Sequence, residues 1–269
     1  MKEQEHFIPW YQPDATVDST DICRRLRSAA YVYVSQSKPK SQSYTSSREA
    51  YRSADLVFME LTVRARKDFR NEIPFQWPDD VYKVICNSWY EEQKCKGIWD
   101  IVYLCGTEVE AVTKRNHYCC LVCWYADGDV KAFIPGEEVK DGTTKPVIKP
   151  IALSQQDYHR PEFPDNAVTF KKALEAIAAY APFDYWINHF KAGLDIMNCE
   201  SVEYSGQPDT FRIQEPYFKY LLAAQLTKLG YGMGSWYDLP MTGTEDHKRI
   251  TDLFTAERNK ALMYAINNC

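Results

Sequence analysis

Residues 230–240 read Gly-Tyr-Gly-Met-Gly-Ser-Trp-Tyr-Asp-Leu-Pro, which places three of the chain's 11 glycines within five positions. Glycine is used where φ must be positive, or where another backbone or a ligand comes close. Set between two segments of strong helical periodicity, the stretch predicts a constrained turn. Gly230 is expected to end one helix in the left-handed conformation, while Gly232 and Gly234 let the chain fold back. Trp236 would then plug the gap between helices, and Asp238 would cap backbone amides nearby. The spacing Gly232-x-Gly234 has only a superficial likeness to a phosphate-cradling loop, because it follows a helix and not a strand. Ser235 has no base beside it in the sequence, so it is not assigned as a nucleophile.

The rest of the chain divides by composition. At 269 residues it has room for one large domain or two modest ones. The formal net charge of −5 argues against bulk binding to nucleic acid or to an anionic membrane. The charge is uneven: residues 1–160 carry 22 Lys+Arg against 23 Asp+Glu, and residues 161–269 carry 10 against 14. The acidic C-terminal half suits a basic partner, and acidic surface also serves solubility. Aromatic residues make up 14% of the chain. They can fill a core poor in Leu and Ile, or anchor an interface, since Tyr and Trp combine rigid contact area with a polar tip. The first residues lack the apolar run of a signal peptide, and no window approaches the ~20 apolar residues of a membrane span. Nine cysteines at irregular spacing do not form a disulfide framework. A cytoplasmic protein with reduced thiols is expected.

Periodicity predicts the elements. Asp18, Ser19 and Thr20 offer caps for a short helix, Tyr31–Val34 is strand-like, and a polar loop rich in serine follows to Ser47. From Ser47 to Arg70, Ala50, Ala54, Val57, Phe58, Leu61, Ala65 and Phe69 form one helical face. Arg48, Arg52, Arg66 and Arg70 align opposite, as a solvated stripe paired with Glu49 and Asp55 or as a phosphate contact. Pro78 opens another helix through Trp89. Ile98–Cys105 and His117–Ala126 are β-rich, and Ala126–Asp129 is a tight turn into Val130–Ile134. Gly136–Pro164, rich in Pro, Gly and charge, is the expected inter-domain boundary. Beyond it the pattern is helical throughout. One helix is capped by Asp165 or Asn166, with Phe170, Ala173, Leu174, Ile177 and Ala178 inward. The next starts at Pro182 and Asp184, with Ile187, Phe190, Leu194 and Met197 inward. A third starts at Pro216, with Phe218, Leu221, Leu222, Gln225 and Leu229 inward. The last opens on a Thr242–Glu245 capping box and buries Ile250, Leu253, Phe254, Ala261 and Tyr264.

No catalytic residues are assigned. Cys119, Cys120 and Cys123 include a Cys-x-x-Cys, but alternation along a strand sends Cys120 and Cys123 to opposite faces, which suits core cysteines and not one zinc ion. His6, His117, His159, His189 and His247 are scattered, with no metal-binding spacing. The acidic pairs Asp79/Asp80, Glu91/Glu92 and Glu137/Glu138 read as surface charge. Neither a metal nor a cofactor is expected.

At its glycine turn the chain resembles a family of uncharacterised bacterial proteins, in which a helix, Gly-Met-Gly-Ser-Trp with Asn and Asp, and a final helix with an Ala- and Asn-rich tail follow one another. Here the match is Gly232-Met233-Gly234-Ser235-Trp236, with Asp238 in register and Ala265-Ile266-Asn267-Asn268 at the end. Tyr237 replaces the usual Asn, and Tyr231 stands where a small residue is usual. The resemblance covers roughly residues 165–269. It implies an accessory or immunity-type protein of a bacterial toxin system and carries no activity with it.

The expected fold is α+β: residues 1–150 form N-terminal helices with a small antiparallel sheet, and residues 160–269 form an all-helical C-terminal bundle. The leading functional expectation is a non-enzymatic protein that binds another protein, most simply an immunity protein neutralising a cognate toxin. Gly232, Gly234, Ser235, Trp236 and Asp238 are its motif, in a structural or a binding role. Nucleic-acid and membrane partners are not expected. The alternatives are an enzyme with an unrecognised site at the domain junction, and a phage or mobile-element inhibitor of a host defence system.

Overall fold

The computed structural model describes residues 47–72, 97–140, 143–153, 160–200, 213–230 and 235–269. The helix expected near 18–26, the strand at 31–34, the polar loop up to 46 and the helix opening at Pro78 lie outside the described residues, as do Gly232 and Gly234. Among the described residues, six α-helices and one four-stranded antiparallel sheet make the fold α+β. The chain clusters into two compact units. A sheet unit takes residues 47–72, 97–140, 143–153, 160–163, 213 and 266–269, and a helical unit takes 164–200, 214–230 and 235–265.

In the sheet unit, helix α1 (Ser47–Arg70) follows from the three- and four-residue spacing of its apolar positions. Phe58, Leu61 and Ala65 are fully buried. Met59, Thr62 and Val63 are buried as well, so more than one stripe of the helix is covered. The Thr62 hydroxyl is satisfied by donating to the Phe58 carbonyl at 2.9 Å. Where it is described the arginine stripe is mixed, with Arg66 half-buried and Arg70 exposed. Arg66 donates to Asp100 at 2.7 Å and to the Ile101 carbonyl at 2.8 Å, and Arg70 donates to the Asn268 carbonyl at 2.9 Å. Asp55 is buried and accepts the Tyr103 phenol at 2.6 Å.

Strands β1 (Ile98–Cys105), β2 (Cys119–Tyr125), β3 (Val130–Lys140) and β4 (Thr143–Leu153) form a meander in chain order, and α1 packs on it. The Ala126–Asp129 turn is tight. Gly128 has φ +92°, and the Asp129 amide donates to the Asp127 carboxylate at 3.0 Å. A short helix α2 (Thr107–Thr113) between β1 and β2 is too brief to show periodicity and escapes sequence reading. Within the stretch 136–164, expected to hold the inter-domain boundary, the chain passes from the sheet unit to the helical unit between Phe163 and Pro164. Most of that stretch is the β3–β4 hairpin, in which Pro135 faces Ile148, Pro146 faces Glu137 and Pro150 faces Phe133. Pro146 and Pro150 are admitted because β4 is the outermost strand of the sheet, and Pro135 because β3 pairs with β2 only as far as Phe133.

The opposite edge is closed by side chains. The Tyr103 amide donates to the Asn267 side-chain oxygen at 2.8 Å, and the Asn267 amide returns a bond to the Tyr103 carbonyl at 2.8 Å. One asparagine thus takes the place of a neighbouring strand. With Arg66 on the Ile101 carbonyl, this blunts an edge that would otherwise template further pairing.

The helical unit contains α3 (Ala167–Tyr180), α4 (Asp184–Asn198), α5 (Tyr217–Leu226) and, up to Ala265, α6 (Glu245–Asn268), with α4 packed on both α3 and α5. The buried residues of α3 are Phe170, Ala173, Leu174, Ile177 and Ala178, its expected face. Asp165 accepts the Ala167 amide at 2.8 Å, whereas Asn166 reaches across to the Glu257 carbonyl of α6 at 2.9 Å. Three further predictions are corrected. Helix α4 buries Trp186, Ala192, Gly193 and Ile196 with Phe190 and Met197, while Ile187 and Leu194 are only half-buried. Helix α5 ends at Leu226, three residues before Leu229. The α6 start is capped by Thr244, whose hydroxyl accepts the His247 amide at 3.2 Å; Thr242 closes the preceding turn, and Leu253 is 46% exposed.

Gly193 shows how closely α4 is packed. A Cβ there would lie 2.4 Å from Thr227 Cγ2 and 3.2 Å from Leu174 Cδ2. Thr227 cannot give way: it is fully buried, and its hydroxyl donates to the Ala223 carbonyl at 2.7 Å. Alanine for glycine inside a helix ordinarily gains about 1 kcal/mol, and overpacking a core costs about 1–3 kcal/mol. The close approach decides the sign, so Gly193→Ala is expected to lower stability by about 1–2 kcal/mol in urea unfolding. Thr227→Ser removes Cγ2 and keeps the hydroxyl, so the double variant should recover most of that loss. A Gly193→Ala protein as stable as the wild type would contradict this packing.

Candidate protein-binding face at the glycine turn

The turn is built from backbone first. Gly230 has φ +73°, a value that L side chains rarely adopt, and the Trp236 amide donates back to the Leu229 carbonyl at 3.0 Å. Residues Trp236–Asp238 then form one 3₁₀ turn closed by a capping box. The Ser235 amide and hydroxyl both donate to one Asp238 oxygen at 3.0 Å. This bonding occupies the Ser235 hydroxyl with a carboxylate, and it fixes the direction in which Trp236 leaves the backbone.

Trp236 is completely buried. Its ring lies 5.5 Å from Trp186 and 5.3 Å from Phe190, edge-on to both, and is stacked at 5.3 Å on His247. Tyr180 lies 6.4 Å away. The indole N–H donates to the Thr251 hydroxyl at 2.7 Å. Residues of α3, α4 and α6 therefore all meet one side chain. Edge-to-face and offset rings at these separations gain about 0.5–1.5 kcal/mol per pair beyond their buried area. Phe190 extends the cluster to Phe254 at 5.2 Å, and Phe254 to Phe170 at 6.5 Å.

Two histidines border the cluster. His247 is buried, and its Nε2 has no hydrogen-bond partner among the described residues. His189 packs 5.1 Å from Trp186, with Nε2 3.1 Å from the Lys228 carbonyl. A carbonyl only accepts, so Nε2 carries the proton. Burial disfavours the imidazolium and lowers the His189 pKa to about 4, even though the Lys228 bond pulls the other way. The ring is therefore neutral at physiological pH and held on a carbonyl.

The surface beside the cluster is aromatic. Phe183 is 51% exposed, Tyr185 40% and Tyr237 42%. They neighbour the buried pair in the chain: Phe183 and Tyr185 precede Trp186 in the cap and first turn of α4, Tyr185 touches Trp186 at 5.2 Å, and Tyr237 follows Trp236. The acidic residues Asp184 and Asp238 alternate with them and are exposed. Sequence reading missed this set because hydrophobicity assigns both rings to an interior, and Phe183, seven residues before Phe190 and in phase with it, lies outside the helix at the N-cap. Their exposure depends on how Trp186 is taken up by Trp236, a contact between distant segments.

Other polar clusters are interior. In the sheet unit, Cys105, Cys119, Cys120 and Cys123 are buried and in no disulfide. Cys119 donates to Asp55, and burial, with Asp55 nearby, pushes its pKa well up. Asp100 holds Arg66 on one oxygen and Arg160 on the other at 2.8 Å. In the helical unit Glu257 accepts Asn166 at 3.1 Å, Lys260 at 2.6 Å and Thr169. Among the described residues, no group of three or more His, Cys, Asp and Glu is placed to hold a metal ion. No described helix is long and apolar enough to cross a membrane. Comparison with protein-family models, with curated proteins and with solved structures finds no match to this chain.

Proposed function

We propose that the protein is a non-enzymatic binding protein that docks on another protein through the face formed by Phe183, Tyr185 and Tyr237, in the manner of an immunity protein neutralising a cognate bacterial toxin in the cytoplasm. The observation that carries this reading is that the half-exposed Tyr185 packs on Trp186 of the buried cluster, with the exposed Phe183 three residues before Trp186 and the exposed Tyr237 next to Trp236 in the chain. Exposed rings cost solubility, and rings anchored on a packed core lose little entropy on binding. Asp184 and Asp238 between them favour a basic partner, whose approach they would accelerate at low ionic strength. The resemblance at Gly232–Trp236 supplies the toxin-system context. In this reading residues 160–269 act as a helical bundle that presents the face, and the glycine turn holds Trp236 beneath it.

The test is calorimetric titration of the full chain against the purified products of the genes beside its own. Specific binding of one of them, weakening as salt rises, is the expected result. Absence of binding to every neighbour-encoded product would overturn the proposal.

A further inference from the structure

The geometry points to Cys105 and Cys119 as a modification site, a thiol pair on facing strands that a small-molecule disulfide converts to one cross-strand disulfide. The two are register partners at the end of the β1–β2 ladder. The next position outward is hydrogen-bonded, since the Gly106 amide donates to the Tyr118 carbonyl at 3.2 Å. Bonded and non-bonded positions alternate along an antiparallel pair, so Cys105 and Cys119 occupy a non-bonded one, where Cα atoms approach to about 4.5 Å. Tyr103, two residues inward and therefore of the same kind, turns both its amide and its carbonyl away from β2 to Asn267. A separation of about 4.5 Å lies within the range of about 4.4–6.8 Å that a disulfide requires, and opposed residues project to the same face. The neighbouring cysteines lack this arrangement: Cys120 faces Leu104, and Cys123 faces Ile101.

Both thiols are buried in the closed ladder. They form its last pair, next to the segment carrying α2 and the 41%-exposed Tyr118, so fraying of the strand ends is enough to admit a reagent. In the reaction the Cys105 thiol gives its proton to water, and the thiolate attacks one sulfur of an oxidised small-molecule disulfide. That S–S bond breaks, and the first thiolate leaves and takes up a proton. The Cys119 thiolate, its proton likewise lost to water, attacks the Cys105 sulfur of the mixed disulfide. The Cys105–Cys119 bond forms as the second thiolate leaves and is protonated. The two cysteines are oxidised, the reagent is reduced to two thiols, and the α2 segment becomes a closed loop.

The test treats the whole protein with oxidised glutathione, once in buffer and once in urea just below the unfolding transition. Trypsin then cleaves after Lys114 and Arg115, which separates the two cysteines. Mass spectrometry should find the peptides linked, two hydrogens lighter than their sum, with fragmentation placing the bond on Cys119. The link should be lost in Cys105→Ser and in Cys119→Ser, and kept in Cys120→Ser. No link under either condition, or a link from Cys105 to Cys120, would overturn the assignment.

Discussion

Replacing Trp236 by alanine is expected to lower the stability of the helical unit by about 3–5 kcal/mol, the cost of emptying a fully buried aromatic site. The side chain has no solvent contact, and its ring touches Trp186, Phe190 and His247 within 5.5 Å. Those rings are held by three helices and cannot close the cavity without moving backbone. The Thr251 hydroxyl would also lose the indole donor now 2.7 Å away. Domains have only about 5–15 kcal/mol of stability, so the variant would sit near its unfolding threshold at room temperature. Trp236→Phe refills part of the volume and forfeits the hydrogen bond, which predicts a smaller loss of about 1–2 kcal/mol. Urea unfolding followed by far-ultraviolet circular dichroism measures both. A loss below about 1 kcal/mol for Trp236→Ala would mean that the turn does not organise the helices around it.

The second large effect is a dependence on pH. Burial lowers the His189 pKa from 6.5 to about 4. Above pH 6.5 the ring is neutral in both folded and unfolded chains, and its contribution does not change. Between pH 6.5 and about 4 the unfolded chain binds a proton that the folded one refuses, so stability falls as pH falls. A difference of one bound proton costs about 1.4 kcal/mol for each pH step of one, so the full loss approaches about 3 kcal/mol, most of it incurred by pH 4.5. His189→Gln keeps a donor for the Lys228 carbonyl and removes the titration. The wild type should therefore lose about 2–3 kcal/mol more than the variant between pH 7 and pH 4.5 in urea unfolding. Equal losses would show that the ring takes up its proton without cost.

Much of this architecture can be read from local sequence. The apolar spacing of α1 and the β-rich run of β1 mark those elements because each has a long, uninterrupted pattern. The inward face of α3 follows for the same reason. What sequence reading missed depends on contacts between distant segments. The β3–β4 hairpin is hidden by Pro135, Pro146 and Pro150, which are tolerable because β4 lies outermost and β3 has no β2 partner beyond Phe133. The buried face of α4 is turned toward Trp186 because Trp186 packs on Trp236, 50 residues along the chain. Asp55 reads as a surface partner for arginine, yet it is buried under Tyr103, and a buried carboxylate cannot be recognised before its donors are placed. At the candidate face the glycine turn is legible from its residue types, since Ser235 and Asp238 are spaced for a capping box. The exposed rings are not, because hydrophobicity alone assigns Phe183 and Tyr185 to an interior.

The claim that these rings bind a protein partner is tested most directly by the dissociation constant of the variant carrying Phe183→Ala, Tyr185→Ala and Tyr237→Ala. It is measured against the neighbour-encoded protein that binds the wild type. Aromatic anchors each contribute up to a few kcal/mol, so affinity should fall at least about 100-fold while the urea midpoint stays near that of the wild type. An unchanged dissociation constant in the folded triple variant would contradict the account.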